Sequence, residues 1–235
     1  MTARTKKLVR FSFITLFPEV SSAYVASSMF RRAERAGLLR THVLQIRDFT
    51  TDKHHLTDES PYGGGPGMVM KAEPILRAVQ QASKISKVSR VRTLVIITDA
   101  KGKQFSAMYA KQASKKYTHL IFIAGHYEGI DARVAPALKA SGYIVNYISI
   151  GNYVLTGGEL PSLVVADATL RHIPGVLGDP TSLEEVRGGV GIPAYTRPPE
   201  FTWPQKSQKK HKVPPVLMSG NHQLIDEWRN KKRKK

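Results

Sequence analysis

The chain of 235 residues contains no cysteine. That excludes disulfide staples, thiolate metal sites and a cysteine nucleophile, and it is compatible with a reducing compartment. Also missing is any apolar run near the roughly 20 residues that a membrane-spanning helix needs. The opening MTARTKKLVRF passes into strand-like sequence with no signal-peptide pattern. A cytoplasmic protein that avoids the membrane is therefore expected. Acids are scarce beside bases: 18 Asp and Glu against 36 Lys and Arg leave a formal net charge of +18. A field of that sign makes nucleic acid the first partner to consider. An anionic membrane surface ranks second, because no basic amphipathic helix with exposed aromatics stands out. No internal repeat of useful length is present.

The bases are unevenly placed. One block is Lys206, Lys209, Lys210 and Lys212, and another is the terminal Lys231-Lys232-Arg233-Lys234-Lys235. Both are expected to be mobile arms that attract phosphate, with a solubilising tail as the alternative.

Along the chain, strand-like and helix-like stretches alternate. Strands are expected at Val9 to Phe17, Leu38 to Ile46, Leu94 to Ile97, Leu120 to Ala124 and Tyr143 to Ile148. Helical patterns fill Ser21 to Gly37, Ala72 to Lys84, Phe105 to Lys116, a stretch ending near Lys139, and one opening at Gly157-Gly158 and ended by Pro174 and Gly175. The fold class this implies is α/β, a mostly parallel sheet covered on both faces. Ligands in such sheets bind beyond the carboxyl ends of strands, which here carry Asp99 to Gly102, Gly125 to Asp131 and Ser149 to Gly158. After Gly178 the texture changes. Residues 179–191 lack periodicity and are expected to form a flexible linker between a ligand-binding domain, 1–178, and a small, mostly helical or irregular module, 192–235.

Several motifs carry possible chemistry. Thr50 to Met70 is too long and distinctive for a connector, and its YGGGPGM has neither the Lys-Ser/Thr of a P-loop nor GxGxxG spacing. His54, Asp58 and Glu59 ahead of it are polar candidates for a base, with surface carboxylates as the alternative. His54 and His55 also raise metal binding, but no zinc-type spacing supports it. In GHYEGID, Glu128 is placed to accept hydrogen bonds from a purine edge, Tyr127 to pack against a ring, and Asp131 to cap the next helix. The Gly157-Gly158 pair lets backbone approach a ligand at a helix entrance. In the helix that follows, Leu160, Leu163 and Val164 are expected on one face, continued by Asp167 and Arg171 as an ion pair.

Five ordered motifs, YGGGPGMVM, GHYEGIDARV, SIGNYVLTGGELPSLVVADATLRHIPGVLG, YTRPPEF and VLMSGNHQLIDEWR, resemble the bacterial tRNA (guanine-N1)-methyltransferases, the TrmD family, over nearly the whole chain. The resemblance implies a SPOUT-type fold with a deep trefoil knot, a homodimer with active sites at its interface, S-adenosylmethionine as methyl donor, magnesium dependence, and tRNA as substrate, methylated on N1 of guanosine 37. By position it assigns donor contacts to Asp99, Ala100, Gly125, Tyr127, Ile150, Gly151, Tyr153, Leu155, Gly157, Gly158 and Pro161. His54, Asp58 and Glu128 fall where the family holds the guanine, and Arg171 falls on a catalytic arginine that steadies charge on O6.

Departures from the family pattern accompany the match. Val186 stands where the family places its aspartate base, so the neighbouring Glu185 becomes the candidate base, against Glu185 as an ordinary linker acid beside Glu184. Asp99-Ala100 replaces a usual Ser-Pro, and Asn152 a usual Asp. The chain ends soon after Trp228, which suggests a shortened tRNA-gripping module. The same fold acting on another RNA, and a non-catalytic RNA-binding homologue without its base, are the alternatives.

Overall fold

The run Val9–Thr15 (β1) is apolar on both sides, and all but one of its residues are buried, as a strand sandwiched between two helical layers requires. The computed structural model describes residues 7–178, 192–205 and 209–232. The first unit, Met1–Gly178, is built on a five-stranded sheet of order β2-β1-β6-β5-β7, where β2 is Leu39–Gln45, β5 Thr93–Gln104, β6 His119–Ile123 and β7 Ile144–Ser149. Every pairing in it is parallel.

Strand alternation divides the core in two. Phe11, Phe13, Leu94, Ile96, Leu120 and Phe122 face one way and pack with helices α1 (Pro18–Val25), α2 (Ser28–Arg35), α4 (Ala107–Lys116) and α6 (Glu159–Leu170). Val95, Ile97, Ile121 and Ile123 face the other way, against α3 (Ala72–Ser86) and α5 (Val134–Ala140). Local signals explain the boundaries. Pro18 opens α1, the Ser106 hydroxyl accepts the Tyr109 N–H to cap α4, and α3 ends on Lys87 in the left-handed region at φ 55°.

Several expectations are corrected here. Ser21 to Gly37 is two helices, not one, because the chain turns at Ala26-Ser27 and Ser28 adopts φ 40°. The third expected strand does not stop at Ile97. It runs on to Gln104, with its register to β7 shifting between Thr98 and Lys103, so Asp99 to Gly102 bulge from a strand rather than hang from its end. A side chain on Gly102 would meet the Ile148 backbone nitrogen at 2.6 Å, which is why the bulge carries glycine there. The Thr50 to Met70 loop contains a small hairpin, β3 (Asp58–Glu59) against β4 (Val69–Met70). Asp131 is not the helix cap: Arg133 occupies that position, and Asp131 holds the turn before it, bound by the Arg133 backbone and guanidinium. That guanidinium is the main reason the Asp131 carboxyl sits below its ordinary range.

In the second unit, Asp179–Lys235, β8 (Glu200–Thr202) and β9 (Lys210–Lys212) form an antiparallel pair, followed by α7 (Pro215–Met218) and α8 (His222–Lys232). Lys210 and Lys212 are thus strand residues that pair with Glu200 at 2.8 and 3.6 Å, not part of a mobile arm. The expected linker, residues 179–191, lies outside the described residues, as do Lys206 and Arg233 to Lys235.

Candidate active site

The bulge of β5 and the loops that follow β6 and β7 meet at one cavity of about 410 Å³, within the range of small-molecule sites. From β5 come Asp99 and Ala100, from β6 Gly125 to Ile130, and from β7 Ser149 to Gly151 and Tyr153 to Gly158, with Pro161 at the head of α6. The Lys101 N–H binds the Asp99 carboxylate at 2.7 Å. Ser149 closes a turn on Gly151, and the Tyr153 ring folds over Gly151 so closely that no side chain fits there. All eleven positions expected to contact a donor line this cavity, as does Glu128.

The loop after β6 is held from several sides. Its Glu128 N–H donates to Met68 at 3.0 Å, Gly129 accepts from Met70 at 2.9 Å, and the His126 N–H reaches the Met70 sulfur at 3.0 Å. Because Met70 pairs with Asp58 in the hairpin, Asp58 is tied to the loop that carries Glu128. A side chain on Gly67 would strike the Glu128 carboxylate at 2.5 Å, so the glycine-rich tip lies directly on it. Tyr127 is held at φ 58°, an uncommon conformation for an aromatic residue that these surroundings enforce. His54 and Asp58 are not among the cavity's lining residues; His54 sits in a turn organised by the Asp52 carboxylate at 3.0 Å.

Two side chains that sequence patterns did not single out meet beside the cavity, His126 on its lining and Glu159 behind His126. Glu159 is 5% exposed, with one oxygen bound by the Thr15 hydroxyl and the other 2.6 Å from His126 Nε2. His126 lines the cavity and packs on Phe17 with ring centroids 4.8 Å apart. The glycine pair serves this packing. A side chain on Gly158 would meet Thr98 Oγ1 at 2.5 Å and the Gly125 nitrogen at 2.6 Å, and one on Gly157 would strike the His126 ring. The N–H of Gly158 donates to the Gly125 carbonyl at 2.8 Å, and both glycines also line the cavity.

The α6 face is also revised. Leu163 is buried, whereas Leu160 and Val164 are 58% and 46% exposed. The Asp167 carboxylate takes the Tyr24 hydroxyl at 2.7 Å, and its link to Arg171 is the helical backbone bond. That hydrogen bond is the main cause that pushes the Tyr24 hydroxyl above its ordinary value. Arg171 closes α6, whose 12 residues span about 18 Å, so it stands a helix length from the cavity floor. Glu185 lies outside the described residues.

The charges fit a particular kind of ligand. In a chain of net charge +18, the cavity lining holds the acids Asp99 and Glu128 and, among the described residues, no lysine or arginine. A polyphosphate would find nothing to neutralise it; a cationic sulfonium would be welcome. Among the described residues no group of three His, Asp or Glu side chains gathers to hold a metal, and no helix is long and apolar enough to cross a membrane.

Comparison with known proteins agrees with this chemistry. The family profile described as tRNA (Guanine-1)-methyltransferase TrmD matches residues 9–235. The chain is 42% identical over 226 residues to a tRNA (guanine-N(1)-)-methyltransferase of Carboxydothermus hydrogenoformans, covering 95% of this chain and 82% of that one. It is 44% identical over 224 residues to the protein of that name from Dictyoglomus turgidum, covering 95% and 84%, and 40% identical over 226 residues to that of Bacillus cereus, covering 95% and 86%. The chain belongs to the TrmD family of tRNA (guanine-N1)-methyltransferases.

Proposed function

We propose that the protein transfers the methyl group of S-adenosylmethionine to N1 of guanosine 37 in tRNA. The observation that carries this is the cavity between the bulge of β5 and the loops after β6 and β7, lined by all eleven expected positions and, among its carboxylates and basic side chains, by acids alone. The donor, when bound, supplies an electrophilic methyl on a positively charged sulfur. The chain's own residues do the rest. Tyr127 and Tyr153 offer aromatic faces, and Asp99 and Glu128 set a negative potential. Glu128 and Asp58, joined through Met68 and Met70, orient the guanine, and His54 is the further contact the family resemblance assigns. Arg171 steadies the charge that gathers on O6 as N1 is deprotonated, since a guanidinium stays charged at any working pH.

Arg171 cannot reach the cavity at the other end of its own helix, and this favours a homodimer in which one copy supplies Arg171 to the cavity of the other. The exposed Leu160 and Val164 on α6, with Val20 and Tyr24 on α1, form the apolar surface such a partner would cover. The family's deep trefoil knot, a tRNA-contacting role for residues 192–235 and a cytoplasmic location belong to the same proposal. The described residues offer no cluster suited to magnesium, so no step is assigned to it. The deciding experiment supplies labelled S-adenosylmethionine and unmodified tRNA with or without guanosine at position 37. Transfer that requires this guanosine is expected; tight tRNA binding without transfer refutes the activity, and transfer independent of that guanosine refutes the position.

A further inference from the structure

We propose that the β8–β9 ribbon is a stacking platform for an unpaired base of the tRNA, carried by Phe201, His211 and Trp203, with the lysines of its opposite face drawing the neighbouring phosphates. The inference rests on the tRNA substrate proposed above and gives the second unit a defined part in holding it. The antiparallel register sets Phe201 across from His211, Glu200 across from Lys212 and Thr202 across from Lys210. Side chains alternate along a strand, so the two rings share one face of the ribbon while Glu200, Thr202 and both lysines share the other. The rings of Phe201 and His211 stack with centroids 5.3 Å apart and planes 23° from parallel. Trp203 follows at the end of β8, and its carbonyl oxygen accepts from His211 Nε2 at 3.3 Å.

These rings are open. Phe201 is 55% exposed and Trp203 67%, and every residue of β9 is exposed. A single exposed ring is ordinary; three gathered on a ribbon of three residues a side form a patch that a partner covers. The basic groups around it set the partner's chemistry. Lys210 and Lys212 both turn to Glu200, at 2.8 and 3.6 Å, so two cations share one acid and the face behind the rings stays positive. The next pair along the ribbon, Pro199 and Val213, joined by a backbone hydrogen bond at 2.9 Å, lines a groove that also holds Arg197 and Arg229.

Cations interleaved with flat rings are what single-stranded RNA requires: charge attracts the backbone, and each base offers a π-face to an aromatic side chain. A duplex hides those faces within its own stack, so the platform selects a base that is unpaired, as in a loop. The stack on Phe201 and the bond to Trp203 hold the His211 ring in place beforehand, which lowers the cost of ordering it on binding. A membrane surface fits less well, since it calls for aliphatic bulk beside the aromatics, and the ring face includes an imidazole.

The test uses the full chain and unmodified tRNA. Phe201→Leu with Trp203→Leu keeps apolar bulk and removes two π-faces; at fixed salt it should weaken tRNA binding about tenfold or more, while calorimetry shows S-adenosylmethionine binding unchanged. Phe201→Tyr with Trp203→Phe keeps the faces and should bind tRNA within about twofold of wild type. The slope of log affinity against log salt should be the same in wild type and the leucine variant, because stacking releases no counterions, and should fall by about one to two in Lys210→Gln with Lys212→Gln. Wild-type tRNA affinity in the leucine variant, a loss that the Tyr and Phe pair shares, or a changed oligomeric state in the leucine variant overturns the platform. So does binding of wild type to phosphatidylglycerol vesicles that the leucine variant abolishes while it keeps its tRNA affinity. If the wild-type chain binds no tRNA, the substrate proposed above falls too; failure of the platform alone leaves wild-type binding and transfer intact.

Discussion

His119 opens β6, the strand that delivers the loop containing His126 and Glu128, and it does so from the interior. It is fully buried, with Nε2 on the Ser12 hydroxyl at 2.8 Å and Nδ1 without a partner. Burial is the first cause, and Arg10 and His42 the next, that lower its pKa from 6.5 to about 3. The folded protein therefore holds the neutral ring, while the unfolded chain takes a proton below the ordinary value. The resulting stabilisation is complete above 6.5 and is lost as pH falls toward about 3. At about 1.4 kcal/mol per pH unit, acidification to about pH 5 should remove on the order of 2 kcal/mol through this one group. His42, on β2 across β1 from His119, is shifted in the same direction, chiefly by burial, so His119 has to be isolated by difference. Urea unfolding would be followed at about pH 7.5 and about pH 5 for Ser12→Ala and for Ser12→Ala with His119→Leu, a pair that leaves no orphaned hydroxyl. The first protein should lose roughly 2 kcal/mol more than the second. Equal losses would refute the neutral buried ring.

Gly158→Ala should destabilise the first unit by about 1 to 3 kcal/mol, because backbone atoms of Ala124 and Gly125 stand within 2.7 Å of the added carbon, and it should weaken donor binding. Gly178→Ala, which meets nothing within 4 Å, serves as the control; equal thermal melts for the two would contradict the packing. Leu160→Glu with Val164→Glu changes only exposed positions on α6, so the monomer should fold as before while sedimentation shows a lost dimer and transfer falls. A dimeric, fully active double variant would place the interface elsewhere.

The sheet was legible because its strands are short apolar runs buried on both faces: HLIFI and VRFSFIT have few alternatives once glycine, proline and charge mark their ends. The cavity was legible from the order of the loops that end those strands, and the motifs narrowed it to individual residues. What escaped was tertiary. The break at Ser28 has neither glycine nor proline to announce it, because α1 and α2 each turn to follow the sheet. The Gly157-Gly158 pair was visible, but its reason was not: the atoms that exclude side chains there belong to Thr98, Gly125 and His126. Glu159 looked like any acid in a helix's first turn, where the dipole favours one. Its partner Thr15 is 144 positions away, and no local pattern marks such an acid as buried.

The charge distribution joins these parts into one account of how two unlike ligands reach one site. A net charge of +18 draws a polyanion from a distance, with a pull that weakens as salt screens it. A cavity lined in the same way would fill with phosphate or with the RNA backbone. Instead the cavity presents Asp99 and Glu128, and the buried Glu159 behind His126 offsets the positive end of α6. On the proposed function, the backbone of a bound tRNA stays on the outer surface. On the same reading, the cationic donor takes the acidic cavity and a single neutral base is the part of the RNA that meets it there. The sign change between surface and cavity sorts the substrates before any hydrogen bond is made.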